Sequence, residues 1–587
     1  MAYSELTSKK RNPSTWRANI EAKMAMLAKQ VRLLTNHRAD LEGKYSLGMT
    51  SQLEKLLKSA KVDKGNINEI VRLQQQKIDL FKIYEKKIRC HESQKAFRRE
   101  NNQFEYNQQM FYRKLTEGQK MVGKQAAAEM ASFWGKMWKS EPGLADFDAL
   151  VKEEPLKYGE EQGIINLEAK LVKLIERHPN WKTPGVDKVS NFFIKKLTVL
   201  HKPLIRLVEK AIVCPGECPK WFFSGVTYLI PKVASPEDPN EYRPITCMSN
   251  LYKLVTKLVA QEMRNIVELN GILSENQLGT RRECQGAKEQ ALINKSLNTE
   301  HKFLLKSMWI DIKKAYDSVN HDYLKMCLRK LGMPDWCTNF VDYVVDSWSI
   351  QLSYNQKVIG KVDLERGILQ GDSLSPLLFV LCMEPLSRLI NATFPALPIE
   401  AGEEWFRTNH LLFIDDIKLF VREEETLKEM MSLTSGFLKK IGLVINDKKS
   451  ATKECKDYAN LLEEHEGYKY LGVLEDRTGR TMHETKKKIV KIICDRAERL
   501  CKSKLNAENL FWALNEHALS LLNYYVGLVE FEHEDLDKLD QEIRKILRAN
   551  RIHYQAANTE RLYIPRSEMG RGLTNAAQKG ERILVAM

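Results

Sequence analysis

Hydrophobic and polar positions change their period twice along the chain. Over residues 1–130 the apolar positions recur at helical spacing. Ile67, Val71, Ile78, Phe81, Tyr84 and Ile88 form one stripe, with a gap at Gln74, and Lys, Arg and Gln fill the other faces. From about residue 180 the pattern shortens. WKTPGVDKVS (181–190) is a loop punctuated by Pro and Gly, VTYLIPKV (226–233) is a short apolar strand, and Phe303–Ile312 is a strand running into DIKKAYDSVNH. HLLFIDDIKLFV (410–421) reads as two short strands with acids at the turn between them. Helical stretches at 321–331, 374–390 and 424–441 separate these elements. After GYKYLGV (467–473) the helical period returns over 482–504, 507–530 and 534–549, joined by short polar links as in a bundle. Few strands among many helices, with no regular βαβ array, predict an α+β fold built on a small sheet.

Length and charge sharpen this picture. A chain of 587 residues exceeds one compact core, so two to four domains are expected. The net charge is +15, and residues 1–130 supply +12 of it, with 26 Lys/Arg against 14 Asp/Glu. A basic helical segment on a near-neutral body points to a polyanion, nucleic acid first; the plainer reading is a solvated helical surface. Phe104, Tyr106, Phe111 and Tyr112 follow Arg98 and Arg99. These rings either stack on bases or form the buried side of a helix. No apolar run approaches the ~18–20 residues of a membrane span, and the N-terminus lacks the apolar core of a signal peptide. No membrane partner is therefore expected, and the 11 Cys are read as thiols. Cys214 and Cys218 have the spacing of half a zinc site but no second pair.

The candidate chemistry lies at strand ends. Asp311 follows Met308-Trp309-Ile310, and Asp415-Asp416 follow Leu411-Leu412-Phe413-Ile414. Carboxylates in such surroundings lose hydration and repel one another unless a cation lies between them. Hard oxygen ligands suit Mg²⁺. Two such ions ~3.5–4 Å apart can activate a 3′-hydroxyl and stabilise a leaving pyrophosphate. The bland alternative is a pair of Asp residues capping a hairpin turn.

The ordered blocks WKTPGVDKV, LIPKV with EYRPITCMSNLYKL, ENQLGTRRECQGAKEQALINK, IDIKKAYDSVNHDYL, GILQGDSLSPLLFVLCMEPL, LLFIDDIKLF, GLVINDKKS and YKYLGV resemble the reverse transcriptases of LINE-type (non-LTR) retrotransposons, of the group that usually carries a restriction-enzyme-like endonuclease. The resemblance implies a right-hand polymerase of fingers, palm and thumb with a small antiparallel palm sheet. It divides the chain into a basic, mostly helical extension (1–180) for RNA, fingers and palm (181–475), a helical thumb (476–560) and a tail (561–587). It implies an RNA-directed DNA polymerase that extends a primer 3′-hydroxyl with dNTPs on an RNA template, using two Mg²⁺ ions, with Mn²⁺ as a substitute. Asp311, Asp415 and Asp416 would be the metal-binding acids, and Lys449 the lysine that protonates pyrophosphate. Lys232 and Arg243 would hold the triphosphate, Tyr316 would be the steric gate, and Gln370 and Gly371 would pack on template and nucleotide. Tyr470, Leu471 and Gly472 would form the primer grip, and Gln277, Gly279 and Arg282 would lie along the template.

Three departures from the family pattern stand out. Ile414 occupies the position of a usual Ala, where it would press on the primer end; Met569 replaces a Gly; and the sequence ends at Met587 without the endonuclease or Cys/His knuckle of the family. Nicking of the DNA target is therefore expected from another segment or protein. Action in the nucleus after cytoplasmic synthesis is implied by the resemblance alone. The competing reading is a nucleic-acid-binding relic whose polymerase is inactive. Asp372 or Ser373 capping a helix before Pro376 is a further expectation for the QGDS segment.

Overall fold

The structure, a computed structural model, describes residues 15–44, 50–116, 125–139, 167–401, 404–454, 459–463 and 466–587. It divides into two compact units: 1–117 with 492–520 and 539–575, and 118–491 with 521–538 and 576–587. Among the described residues no helix is long and apolar enough to cross a membrane, and the described cysteines, Cys214 and Cys218 among them, are free.

The first unit is helical. Helices Thr15–Leu41, Ser51–Ala60 and Ile67–Tyr106 meet around Leu34, Leu53, Leu56, Leu57, Ile70 and Leu73. The helical period over 67–88 holds, but the deepest positions are Ile70 and Leu73, while Ile67 is exposed. The long helix starts at Asn66, whose side chain accepts from Glu69 N–H. Near its other end Asn101 ties together segments some 400 residues apart in sequence. Its amide donates to Lys504 O (2.8 Å), and its Oδ1 accepts from Asn506 N–H (2.7 Å) and Asn509 Nδ2 (3.0 Å). Phe104 and Phe111 are buried and pack edge to face, Phe104 also against Trp512, and Tyr112 stacks on His517. Phe104 and Phe111 are therefore core, Tyr112 is half-buried, and Tyr106 is exposed. The expected helix over 507–530 is broken into Ala507–Ala513, a π turn at Leu514–Ala518 and two short turns ending at Tyr525. Arg496 donates to His517 O within the π turn.

The second unit carries two small sheets over one large core. A mixed sheet runs in the order Tyr242–Met248, Ser224–Pro231, Ser349–Tyr354, Lys357–Asp363. The other runs Asn460–Leu461, Ala451–Thr452, Lys306–Ile310, Asp416–Val421, His410–Phe413, antiparallel except for its first pair. The strand expected over 303–312 is shorter, because residues 302–304 form a turn of 3₁₀ helix and Ile312–Lys313 leaves to pair with Val444–Ile445. Alternation assigns the faces of the central strands. Met308, Ile310, Leu412, Ile417, Leu419 and Val421 join the main core with helices Ser375–Thr393 and Glu424–Lys440. Trp309, Leu411 and Phe420 point the other way, into smaller clusters. Residues 125–139 and 167–177, which the sequence assigns to the basic extension, share the main core through Met130, Trp134, Trp138, Leu171, Leu174 and Ile175.

The second face holds a buried charge. Lys418 is fully buried and pairs across strands with Trp309. Its ammonium donates to Glu475 Oε2 and Asn294 Oδ1, both at 2.6 Å, and lies 4.4 Å from the Trp309 ring centroid. Burial pulls the Lys418 pKa down, and Glu475 opposes that pull. Removing one partner strands the other. Lys418→Met is expected to lower the stability of this unit by about 3–5 kcal/mol, because it leaves Glu475 buried and uncompensated. A urea-unfolding midpoint compared with wild type checks this.

Candidate active site

Strand register assembles the three acids. Ile417 pairs with Ile310 in antiparallel register, so the next step along both strands sets Asp416 across from Asp311. Asp416 also pairs with Phe413, leaving Ile414 and Asp415 as the turn. Asp311 and Asp416 share the face of Trp309 and Lys418, opposite the packed helices. Burial first, then the charge of Asp311, raises the Asp415 carboxyl, and burial, then the charges of Asp415 and Asp311, raises that of Asp416 to about 6. Arg243 opposes the rise at Asp415.

The turn is held from beneath. Ile414 is β-branched yet has φ +60°, a left-handed conformation that costs on the order of 1–3 kcal/mol. Its N–H donates to Gln277 Oε1 (3.1 Å), which also accepts from Gly279 N–H (2.9 Å). Leu412 N–H donates to Asn276 O (2.9 Å). A Cβ at Gly279 would lie 2.9 Å from Ile414 Cγ1 and 3.0 Å from Ile414 N, so the close approach requires glycine. Gln277 and Gly279 are buried under the Ile414–Asp415 turn and not laid out along a surface groove. Arg282 is exposed and engaged with helix Asn250–Leu269, donating to Asn265 Oδ1 (2.6 Å) with Glu268 3.7 Å away. Of the three residues expected along the template, Gln277 and Gly279 thus support the turn from beneath, while Arg282 lies at the surface. Arg281, which the sequence reading passed over, fastens that segment through Gln277 O, Leu273 O and Ser274 O.

Asn446, also overlooked, fixes Asp311. Its Nδ2 donates to Asp311 Oδ2 (2.8 Å), and its N–H donates to Asp311 O (2.8 Å). Ser450 accepts from Asp311 N–H (3.1 Å). Both belong to the INDKKS segment, whose lysines drew attention first. Lys449 in this segment is exposed. Lys232 and Arg243 are exposed near the same place: burial lowers the Lys232 pKa, and the charges of Lys449 and Arg243 lower it further, while Asp317 and Asp311 oppose. Lys232 thus senses Lys449, Arg243 and Asp311, and Arg243 acts on Asp415.

Tyr316 stacks on Phe379 at 5.1 Å with rings 10° apart; burial first, then the charge of Asp415, raises its phenol pKa. The segment leading to Gln370 is laced to it. Ile368 N–H donates to Tyr316 O, and Gly367 N–H to Val319 O, both 2.7 Å. Gly371 has φ +112° and backs onto Thr246 O, where a Cβ would lie at 2.9 Å. The cap expected from Asp372 or Ser373 is not formed: helix Ser375–Thr393 has Leu374 at its N-cap with no side-chain bond. Asp372 is buried instead, accepting from Thr256 Oγ1 (2.6 Å) and Ser373 N–H (2.7 Å).

Strands Tyr468–Tyr470 and Val473–Glu475 form a hairpin turning at Leu471 and Gly472, both with positive φ. Tyr470 is buried and its hydroxyl accepts from Gln290 Nε2 (3.3 Å). Leu471 O accepts from Tyr524 Oη (2.5 Å). The expected primer grip is therefore a hairpin whose Tyr470 side chain serves the core. Tyr468 stacks on Trp309 at 5.0 Å and senses Asp311 and Asp416, an aromatic neighbour of the acids that the sequence reading did not single out.

Among the described residues no three His, Cys, Asp or Glu side chains close into a metal-holding set. The donor chemistry nevertheless fits a divalent cation: hard carboxylate oxygens, partly desolvated and mutually repelling, are what Mg²⁺ takes when phosphates complete its shell. Gly279→Ala is expected to displace the Ile414 turn and cut any turnover at this site by about 10- to 100-fold, the cost of misplacing reacting groups. Unchanged far-ultraviolet circular dichroism with a lowered kcat checks it.

Residues 230–474 match the family described as reverse transcriptase (RNA-dependent DNA polymerase). The chain is 27% identical over 393 residues to the Pol polyprotein of the type-2 retrotransposable element R2DM of Drosophila melanogaster, covering 62% of this chain and 35% of that one. It is 26% identical over 290 residues to the polyprotein of a type-1 R2 element of Popillia japonica, covering 46% and 37%. The chain thus spans about a third of the length of these relatives. Apo telomerase from Candida tropicalis aligns over 63% of this chain and 65% of its own, with 14% identity and a TM-score of 0.34, too distant to carry an argument. With two small sheets among its helices and its acids on one strand edge, the second unit is α+β; over residues 230–474 it matches the reverse transcriptase family, in a chain that resembles the enzymes of LINE-type (non-LTR) retrotransposons.

Proposed function

We propose that the chain is an RNA-directed DNA polymerase that extends a DNA primer on an RNA template, as in target-primed reverse transcription by a non-LTR element. The observation that carries this is the cluster of Asp311, Asp415 and Asp416 on one strand edge, faced by Lys232, Arg243 and Lys449. Asp311, Asp415 and Asp416 would hold Mg²⁺, or Mn²⁺ in its place. When bound, such ions lower the pKa of the attacking hydroxyl and neutralise charge on the leaving pyrophosphate.

The chain's own groups do the rest. Lys232 and Arg243 bind the triphosphate of an incoming dNTP, Arg243 through its planar fork and Lys232 as a compact charge. Lys449 stabilises charge developing on the leaving group and supplies a proton to it. The Tyr316 ring, backed by Phe379, meets the sugar and rejects a 2′-hydroxyl by a clash. Gln370 and Gly371 offer an amide and close backbone to the templating pair. The basic helices that begin the chain neutralise phosphates of the RNA, so binding weakens with salt. The reaction takes place in the nucleus after cytoplasmic synthesis.

Two outcomes test this reading. With poly(rA)/oligo(dT), dTTP and Mg²⁺, the wild-type chain is expected to extend the primer, and Asp415→Asn to lose extension by a factor on the order of 10³ or more while RNA affinity in a filter-binding assay is retained. Extension by the variant at the wild-type rate defeats the assignment; no extension by either supports a nucleic-acid-binding relic. Tyr316→Ala is expected to raise ribonucleotide incorporation by about 10-fold or more as the clash disappears. Single-nucleotide kinetics with dTTP and UTP checks this, and unchanged discrimination makes the ring ordinary core.

A further inference from the structure

The segment 125–139 precedes the family match by some ninety residues, yet it belongs to the second unit and bonds to residues beside Tyr316 and before Gln370. Its helix Ala127–Met137 buries Trp134, and Trp138 follows at the helix end, also buried; the two rings lie 5.1 Å apart. Trp138 Nε1 donates to Asp317 Oδ1 (3.3 Å), and Gln370 Nε2 donates to Asp317 Oδ2 (3.0 Å). Asp317 is buried one residue beyond Tyr316, so both of its oxygens serve as acceptors inside the protein. Lys314 supplies the counter-charge. It is half-buried, its Nζ sits 3.8 Å from the Trp134 ring centroid and 4.7 Å from that of Phe133, and no described group accepts a hydrogen bond from it. The segment is also fastened to the strands around the site. Glu365 N–H donates to Trp138 O (2.9 Å), and Gln125 Oε1 accepts from Tyr354 Oη (3.1 Å) and Tyr242 Oη (2.5 Å).

We infer that Trp138 and Asp317 are positioning residues for the incoming nucleotide: Trp138 fixes the Asp317 carboxylate, and Asp317 fixes the amide of Gln370 that meets the templating pair. This rests on the polymerase reading above. A free Gln370 amide rotates through several rotamers and presents either its oxygen or its nitrogen; one donated hydrogen bond selects one presentation. The relay makes a segment outside the matched domain part of nucleotide selection, acting on dNTP binding and leaving the carboxylate cluster untouched.

Trp138→Phe keeps the ring and deletes only the donor. It is expected to raise KM for dTTP by about 3- to 10-fold, the weight of one hydrogen bond, with kcat and template–primer affinity within twofold of wild type. Asp317→Asn turns one oxygen into a donor facing a donor, and is expected to raise KM by about 10- to 100-fold. The double variant is expected to be no worse than Asp317→Asn, since both act through one carboxylate. The same order should hold for the equilibrium Kd of dTTP on a complex whose primer ends in a dideoxynucleotide, where no chemistry occurs. A wild-type chain that fails to extend primers defeats the polymerase reading and the relay with it. A wild-type chain that extends them, with Trp138→Phe unchanged in dTTP KM and Kd, or with both variants altered only in thermal midpoint, overturns the relay alone.

Discussion

Repulsion between carboxylates governs this architecture. Two unit charges 4 Å apart near a protein surface repel by about 4 kcal/mol at an effective dielectric constant near 20, and partial burial adds a desolvation cost to each of Asp415 and Asp416. Acids in that position drift apart unless the backbone beneath them cannot yield. Here it is pinned at every approach: a central strand with core on both faces, a turn whose Ile414 N–H is taken by Gln277, a glycine at Gly279 that admits the turn, and Asn446 on Asp311. The left-handed Ile414 is strain that such a frame can hold and a loose loop could not.

The frame has a second layer. Lys418, two residues past Asp416, points to the same face and is buried on Trp309 and Glu475. Trp309 in turn stacks on Tyr468, which senses Asp311 and Asp416. Lys453 lies in the same pocket, its pKa pushed down to about 7 by burial and then by the like charge of Lys418. Lys418 and Lys453 both lie by the Trp309 ring, with Glu475 as the counter-charge to Lys418. The pair costs desolvation, and hydrophobic residues of equal volume would stabilise the sheet more cheaply.

Much of this was legible in the chain because strand alternation and the Asp-Asp turn are local signals. HLLFIDDIKLFV specifies its two strands and its turn within twelve residues, and the structure returns them as His410–Phe413 and Asp416–Val421. What escaped depends on partners far off in sequence. Periodicity alone could not decide whether Phe104 and Phe111 stack on bases or on protein, since Trp512 lies about four hundred residues away. Gln277 has the polarity of a ligand-binding residue, and only tertiary structure reveals its side chain closed over Ile414. Asn446 sat beside two lysines of more obvious chemistry. Trp134 and Trp138 lie in a stretch whose basic surroundings suggest a surface, whereas the main core claims both rings.

Selection by a clash requires a wall that does not recede. A ring that can retreat by an ångström accommodates a hydroxyl, and discrimination is lost even though every contact to the correct substrate survives. Tyr316 cannot retreat alone: Phe379 stacks behind it, its carbonyl accepts from Ile368, and the adjacent Asp317 is gripped by Trp138 and Gln370. Phe379 belongs to the helix that begins at Ser375, and that helix is anchored below by Leu377, Leu378 and Leu381 in the main core. Tyr316, the QGDS segment and the helix are thus tied into one packed body. Under the proposed gate role of Tyr316, the choice of sugar would be set by core packing behind the site as much as by the ring itself, and substitutions among these buried leucines would bear on fidelity as well as on stability.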